Sequence, residues 1–194
     1  MRLGAVLGGL ALALSTSLTP AYAIDYKVVL DGASESPPTA SKGFGLGLIS
    51  FDMASMEINV VFVDLTGNTT ASHIHCCTAM PGAGTVGVAT QLPSFAGFPL
   101  GVKYGAYSNT FDMSLASSYN PAFVTANGGT PADAFAALLA GAAAGKAYLN
   151  IHTAAVPSGE IRGFLVPVPE PGTYAMLLAG LGLLGFVAAR RTRH

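Results

Sequence analysis

Ala71-Ser72-His73-Ile74-His75-Cys76-Cys77 gathers two of the chain's four histidines and both of its cysteines into seven residues. Read as a strand, the segment puts His73 and His75 on one face and Ile74 on the other, because successive side chains alternate. One face is then anchored in a core while the other presents two imidazoles. The flanking segments read the same way. Met56 to Leu65 is the clearest strand, with Met56, Ile58, Val60 and Phe62 opposing Glu57 and Asn59, and the turn Leu65-Thr66-Gly67-Asn68 leads from it into the histidine strand. Upstream, Ile24, Tyr26, Val28 and Leu30 alternate against Asp25 and Lys27. Phe44, Leu46 and Leu48 alternate with glycines, which signal close approach by another segment. The link Asp52 to Ser55 is short enough for an antiparallel hairpin.

Downstream the pattern loosens. Met80 to Tyr107 mixes Gly, Pro, Ala and Thr, with strands expected at Val86 to Ala89 and Ala106 to Phe111. Asn120-Pro121 and Asn127-Gly128-Gly129 read as turns or loops. One short helix is expected, with Thr130 as N-cap, Pro131 in the first turn, Phe135, Leu138 and Leu139 as its apolar stripe, and Gly145 as its stop. Lys146 to Thr153 and Glu160 to Val166 read as two more strands, the first with Tyr148, Asn150 and His152 sharing a face. The fold expected from periodicity is mainly β, a meander of antiparallel strands with one short helix.

Only 10% of residues are charged, against about 25% in typical globular domains. Nine acidic and five basic side chains fall between Ile24 and Pro167, and no basic patch or aromatic-basic interleaving marks a nucleic-acid binder. The apolar excess sits partly at the two ends. Arg2, the apolar run Leu3 to Leu14 and the ending Ala21-Tyr22-Ala23 read as an N-terminal signal helix, residues 1–23, cut by signal peptidase before Ile24. An uncleaved anchor is the other reading, with a run short for a span. Export implies an oxidising compartment. At the far end, Val168-Pro169-Glu170-Pro171 precedes the uncharged stretch Tyr174 to Ala189, read as a C-terminal membrane helix, and the basic stop Arg190, Arg191 and Arg193.

That tripartite tail, residues 168–194, resembles the PEP-CTERM sorting signal of Gram-negative bacteria. The resemblance implies that the exported precursor is held transiently in the inner membrane until an exosortase-type enzyme processes it. Delivery then follows to the cell surface or to an extracellular exopolysaccharide matrix. Residues 24–167 form the domain between the two signals. There, Leu30-Asp31-Gly32-Ala33-Ser34-Glu35-Ser36-Pro37-Pro38, Ala71 to His75, Ala147-Tyr148-Leu149-Asn150-Ile151-His152-Thr153 and Gly159-Glu160-Ile161-Arg162-Gly163 resemble the CHRD (chordin) domain. Four separated motifs in order carry that likeness. It implies an antiparallel immunoglobulin-like β-sandwich or barrel, and it supplies no reaction. Where the family often has glycine after the second histidine, this chain has Cys76-Cys77.

His-x-His on a strand is a common metal-ligand spacing, because both rings reach one side. The family-matched position of His152 implies a third imidazole beside them, a set that suits copper or zinc. Ring nitrogens within roughly 4 Å of one another would favour a shared ion. The alternative is that the histidines hydrogen-bond across strands, with Glu160, Asn150 or Thr153 as partners. Glu160 and Arg162 share a strand face by spacing, either as a surface ion pair or with Glu160 supporting a histidine from behind. Asp31 and Glu35 bracket a Pro-rich loop as turn-formers. Cys76 and Cys77 have three readings: a vicinal disulfide, a thiolate joining the histidines, or intermolecular bridging. With no Ser-His-Asp order, phosphate loop or paired acid and base in view, a non-enzymatic role is expected. Two classes remain, a surface or matrix interaction module and a small metalloprotein.

Overall fold

The computed structural model describes residues 23–169 and 178–184. The signal helix, and the sorting residues from Glu170 onward apart from 178–184, lie outside the described residues. Residues 178–184 are helical, and among the described residues no helix is long and apolar enough to cross a membrane.

Among the described residues eight strands form one antiparallel sheet: β1 (Ile24–Asp31), β2 (Phe44–Asp52), β3 (Ser55–Val63), β4 (Thr69–His75), β5 (Gly105–Asp112), β6 (Tyr148–Thr153), β7 (Ile161–Phe164) and β8 (Val166–Pro167). Their order is β4-β6-β7-β1-β2-β3-β5, with β8 beside β1. The sheet curls into a half-barrel. Its two ends approach where Thr69 donates its backbone N–H to Val102 (2.8 Å) and accepts from that of Gly101 (2.8 Å), just before β5. The inside holds Tyr26, Val28, Leu30, Ile49, Met56, Ile58, Val60, Phe62, Ile74, Leu149, Ile151 and Ile161, all buried. Burying side chains of this size stabilises by about 1.5–3 kcal/mol each, before the entropy of ordering them is subtracted.

In β2 the glycines, not the large residues, line the inside at first. Gly45 is buried against Leu30, while Phe44, Leu46 and Leu48 face outward at 42%, 48% and 40% exposure. The apolar side of the alternation changes only at Ile49 and Phe51, which turn inward. A second close approach sits at Gly163 in β7, where an added Cβ would overlap the Val29 backbone carbonyl. Backbone cannot rotate away as a side chain can. Gly163→Ala is therefore expected to cost about 2–3 kcal/mol by overpacking, measured as a lowered urea midpoint with the slope unchanged.

Two helices, not one, follow β5: α1 (Pro121–Ala126) and α2 (Pro131–Ala143). The second starts on its expected cap, with the Thr130 side chain accepting from Asp133 N–H. The first was masked by the turn-like Asn120-Pro121. Asn120 accepts from Ala122 N–H at 3.0 Å and Pro121 stands in the first turn, the same device one segment earlier. Val86 to Ala89, expected as a strand, makes only an isolated bridge through Val88 to His75. It lies along the outer edge of β4 with the rest of the connection to β5, and Ala89 N–H donates to Ile74 carbonyl at 2.9 Å.

Candidate metal centre

The antiparallel register of β4 and β6 sets Ala71 opposite His152, His73 opposite Asn150 and His75 opposite Tyr148. His73 and His152 are thus diagonal neighbours on one face, within reach of each other's rings. Their centroids lie 5.2 Å apart, with His73–His75 at 5.9 Å and His75–His152 at 5.7 Å. One ring nitrogen from each histidine lies within 4.8 Å of the other two. Donors bound to one zinc at about 2.0–2.1 Å stand about 3.4 Å apart; the 4.8 Å limit exceeds that and the roughly 4 Å expected for a shared ion, so the rings would have to close by up to about 1.4 Å to hold one.

Each ring faces a backbone carbonyl through its other nitrogen. His73 Nε2 meets Pro93 at 2.6 Å, His75 Nδ1 meets Val86 at 2.8 Å, and His152 Nδ1 meets Pro157 at 3.0 Å. A carbonyl only accepts, so each of those nitrogens carries the proton and the tautomer is fixed. The lone pairs are left on His73 Nδ1, His75 Nε2 and His152 Nε2. All three are buried and without a hydrogen-bond partner. The cross-strand hydrogen bonds to Glu160, Asn150 or Thr153 are not made.

Burial lowers the pKa of all three histidines, and the facing carbonyls only partly offset it. For His75 the value falls to about 4, with the other two histidines and Arg162 adding to the effect of burial. At neutral pH the three rings are uncharged and their lone pairs free. A folded value below the unfolded 6.5 means that stability is fully present above about pH 6.5 and is lost as pH falls toward 4. For His75 alone that loss is on the order of 3 kcal/mol across the window. Glu35 runs the opposite way. Burial raises it to about 7 against the pull of Arg162 and a Ser36 backbone hydrogen bond, so its contribution is lost as pH rises from about 4.5 to 7. Metal-free Glu35→Gln protein is therefore expected to lose stability more steeply than wild type between pH 6.5 and 4.5, read by denaturant midpoints at each pH.

The wall around the rings is aromatic and cationic. Tyr148 stacks on His75, centroids 4.8 Å apart and nearly parallel at 5°. The Arg162 guanidinium sits 4.7 Å over the Tyr148 ring. Arg162 is buried, donates to the carbonyls of Ser34 and Gly84, and lies 3.8 Å from Glu35. Glu35 is therefore a buried partner of Arg162 and not only a loop residue, whereas Asp31 does accept from Ser34 N–H in the turn.

Residues 26–165 match the family model of the CHRD domain. The chain belongs to the CHRD domain family. Residues 167–191 of this CHRD protein match the PEP-CTERM protein-sorting motif, which marks an exported protein with a membrane-anchored precursor in Gram-negative bacteria, processed by an exosortase-type system. No curated protein and no solved structure matches the chain.

The remaining candidate residues of the CHRD domain divide between structure and site. Glu160, expected to support a histidine or to pair with Arg162, does neither. Its carboxylate accepts from Ser41 Oγ, Thr66 N–H, Gly67 N–H and Thr153 Oγ1. The spacing argument fails because Glu160 precedes the first residue of β7 and follows Gly159 at φ +130°, outside the period-2 ladder. Cys76 and Cys77 are joined in a disulfide. Both sulfurs lie where a Cβ on Gly141 of α2 would stand, so a glycine inside the helix makes room for them. Val168 is exposed. Glu170, Pro171, Arg190, Arg191 and Arg193 fall outside the described residues. The carbonyls of Val86, Pro93 and Pro157 could not be found from sequence, because their meeting with the rings depends on how the connecting segments fold back over β4 and β6, which spacing along the chain does not encode.

Proposed function

We propose that this CHRD protein is a non-enzymatic binding module, delivered to the cell surface or an exopolysaccharide matrix, that holds one copper or zinc ion on His73, His75 and His152. One observation supports this above the others: three buried imidazole nitrogens converge, each unpartnered, each freed by a carbonyl that holds the proton on the other side. A buried polar atom without a partner costs about 1–3 kcal/mol, and three together, once drawn in by a small closure of the rings, are answered by one ion. The carbonyls act as outer-sphere partners do in known sites, setting ring orientation and donor tautomer. The destination rests on the sorting motif at 167–191. Metal analysis of the exported protein tests the reading. Stoichiometric copper or zinc, with a raised Tm on adding the ion, is expected; neither metal bound and an unchanged Tm would overturn it.

A further inference from the structure

The charge and coordination of the three-histidine pocket bear on which ion, and which oxidation state of it, the pocket selects. Building on the three-histidine reading, we infer that the site is selective for cuprous ion over zinc and over cupric ion. The donor set is three neutral nitrogens, and the group of potential ligands contains no Asp, Glu or Cys among the described residues. Of the buried carboxylates, Glu160 accepts from four donors of its own, and Glu35 lies 3.8 Å from Arg162, outside the ligand group. The cysteine sulfurs are bonded to each other. Beyond the rings the Arg162 guanidinium sits over Tyr148, which in turn stacks on His75. An ion here brings its charge into a buried pocket whose ligands among the described residues are all neutral. The cost of desolvating an ion rises as the square of its charge, so a divalent ion costs about four times a monovalent one.

Coordination number points the same way. Zinc sites are almost always four-coordinate, and cupric ion prefers tetragonal surroundings. The three free nitrogens are shut off from solvent, and His73 and His75 are only 5% and 8% exposed. The carbonyls of Pro93, Val86 and Pro157 sit behind the rings, engaged by the N–H groups. His152 is half-buried, and the cluster itself offers three imidazole nitrogens and no fourth His, Cys, Asp or Glu ligand among the described residues. A d10 monovalent ion is satisfied by three imidazoles in a trigonal arrangement.

Competition titrations on the purified exported protein, disulfide intact, test this. Cu(I) is supplied anaerobically with ascorbate against a cuprous-specific chromophoric chelator. Zn(II) and Cu(II) are each titrated against their own chelators. The expected result is one Cu(I) per chain, held at least 100-fold more tightly than Zn(II), with Cu(II) also weaker. Zn(II) or Cu(II) binding as tightly as Cu(I) would overturn the selectivity while leaving the three-histidine site standing. No binding of any of the three ions would overturn the site itself. Cu(I) affinity unchanged in H73A/H75A/H152A would place the ion elsewhere and overturn both.

Discussion

Glu160→Gln is expected to destabilise the domain by about 3 kcal/mol or more, the largest single-residue effect on its folding. Hydrogen bonds to a charged acceptor contribute about 1.5–3 kcal/mol each, and orphaning the donors adds their desolvation. Glu160 is fully buried and receives Ser41 Oγ, Thr66 N–H, Gly67 N–H and Thr153 Oγ1. Those donors come from the β1–β2 loop, the β3–β4 turn and the end of β6, so one carboxylate ties three parts of the half-barrel to the start of β7. The glutamine keeps the shape but turns one acceptor into a donor facing donors. Burial opposes the charge on Glu160, yet these hydrogen bonds outweigh it and hold the carboxyl below its usual range. Its contribution is therefore present above about pH 4.5 and lost as pH falls through the folded value. The gap between wild type and variant should narrow on acidification below pH 4.5. Denaturant melts at pH 7 and in that acid range check both parts, and a cost under about 1 kcal/mol at pH 7 would contradict the assignment.

The second large effect concerns the histidines. Replacing His73, His75 and His152 together is expected to weaken metal binding more than 100-fold, beyond the 10–100-fold typical of losing an outer-sphere partner. At an ion concentration 100 times the wild-type Kd, binding stabilises the fold by about 2.7 kcal/mol. At this size that is a rise in Tm of about 5–10 °C, and the variant should show none of it. Export and processing should be unchanged, because the sorting motif lies at 167–191, outside the domain that holds the histidines. Melting curves with and without ion, alongside cell fractionation, separate the two outcomes. A variant that keeps the metal-dependent rise would place the ion on other ligands.

The strands were legible because their residues alternate: β1, β3, β4, β5 and β6 all follow the period-2 pattern of the sequence, and His73 and His75 fall on one face as that pattern requires. Bringing His152 to them needed the register of β6 on β4, which alternation within one strand does not encode; the family likeness of Ala147 to Thr153 stood in for it. Ionic partnerships were the least legible. Arg162 looks paired with Glu160 two residues away, but it reaches Glu35, 127 positions earlier in the chain, and lies over the Tyr148 ring. Local spacing says nothing about contacts that loops create. The same limit hid the carbonyls that orient the rings. Helix α1 was missed for a different reason, since Asn-Pro opens turns and helices alike and only the following five residues decide between them.

Long-range proton–nitrogen NMR of the imidazole rings tests the central claim most directly. In the metal-free protein at pH 7, His73 should carry its proton on Nε2, and His75 and His152 on Nδ1, as their carbonyl partners dictate. On adding one equivalent of a diamagnetic ion, His73 Nδ1, His75 Nε2 and His152 Nε2 should shift together while the protonated nitrogens hold their positions. Other tautomers, or shifts confined to one ring, would contradict a shared three-histidine site.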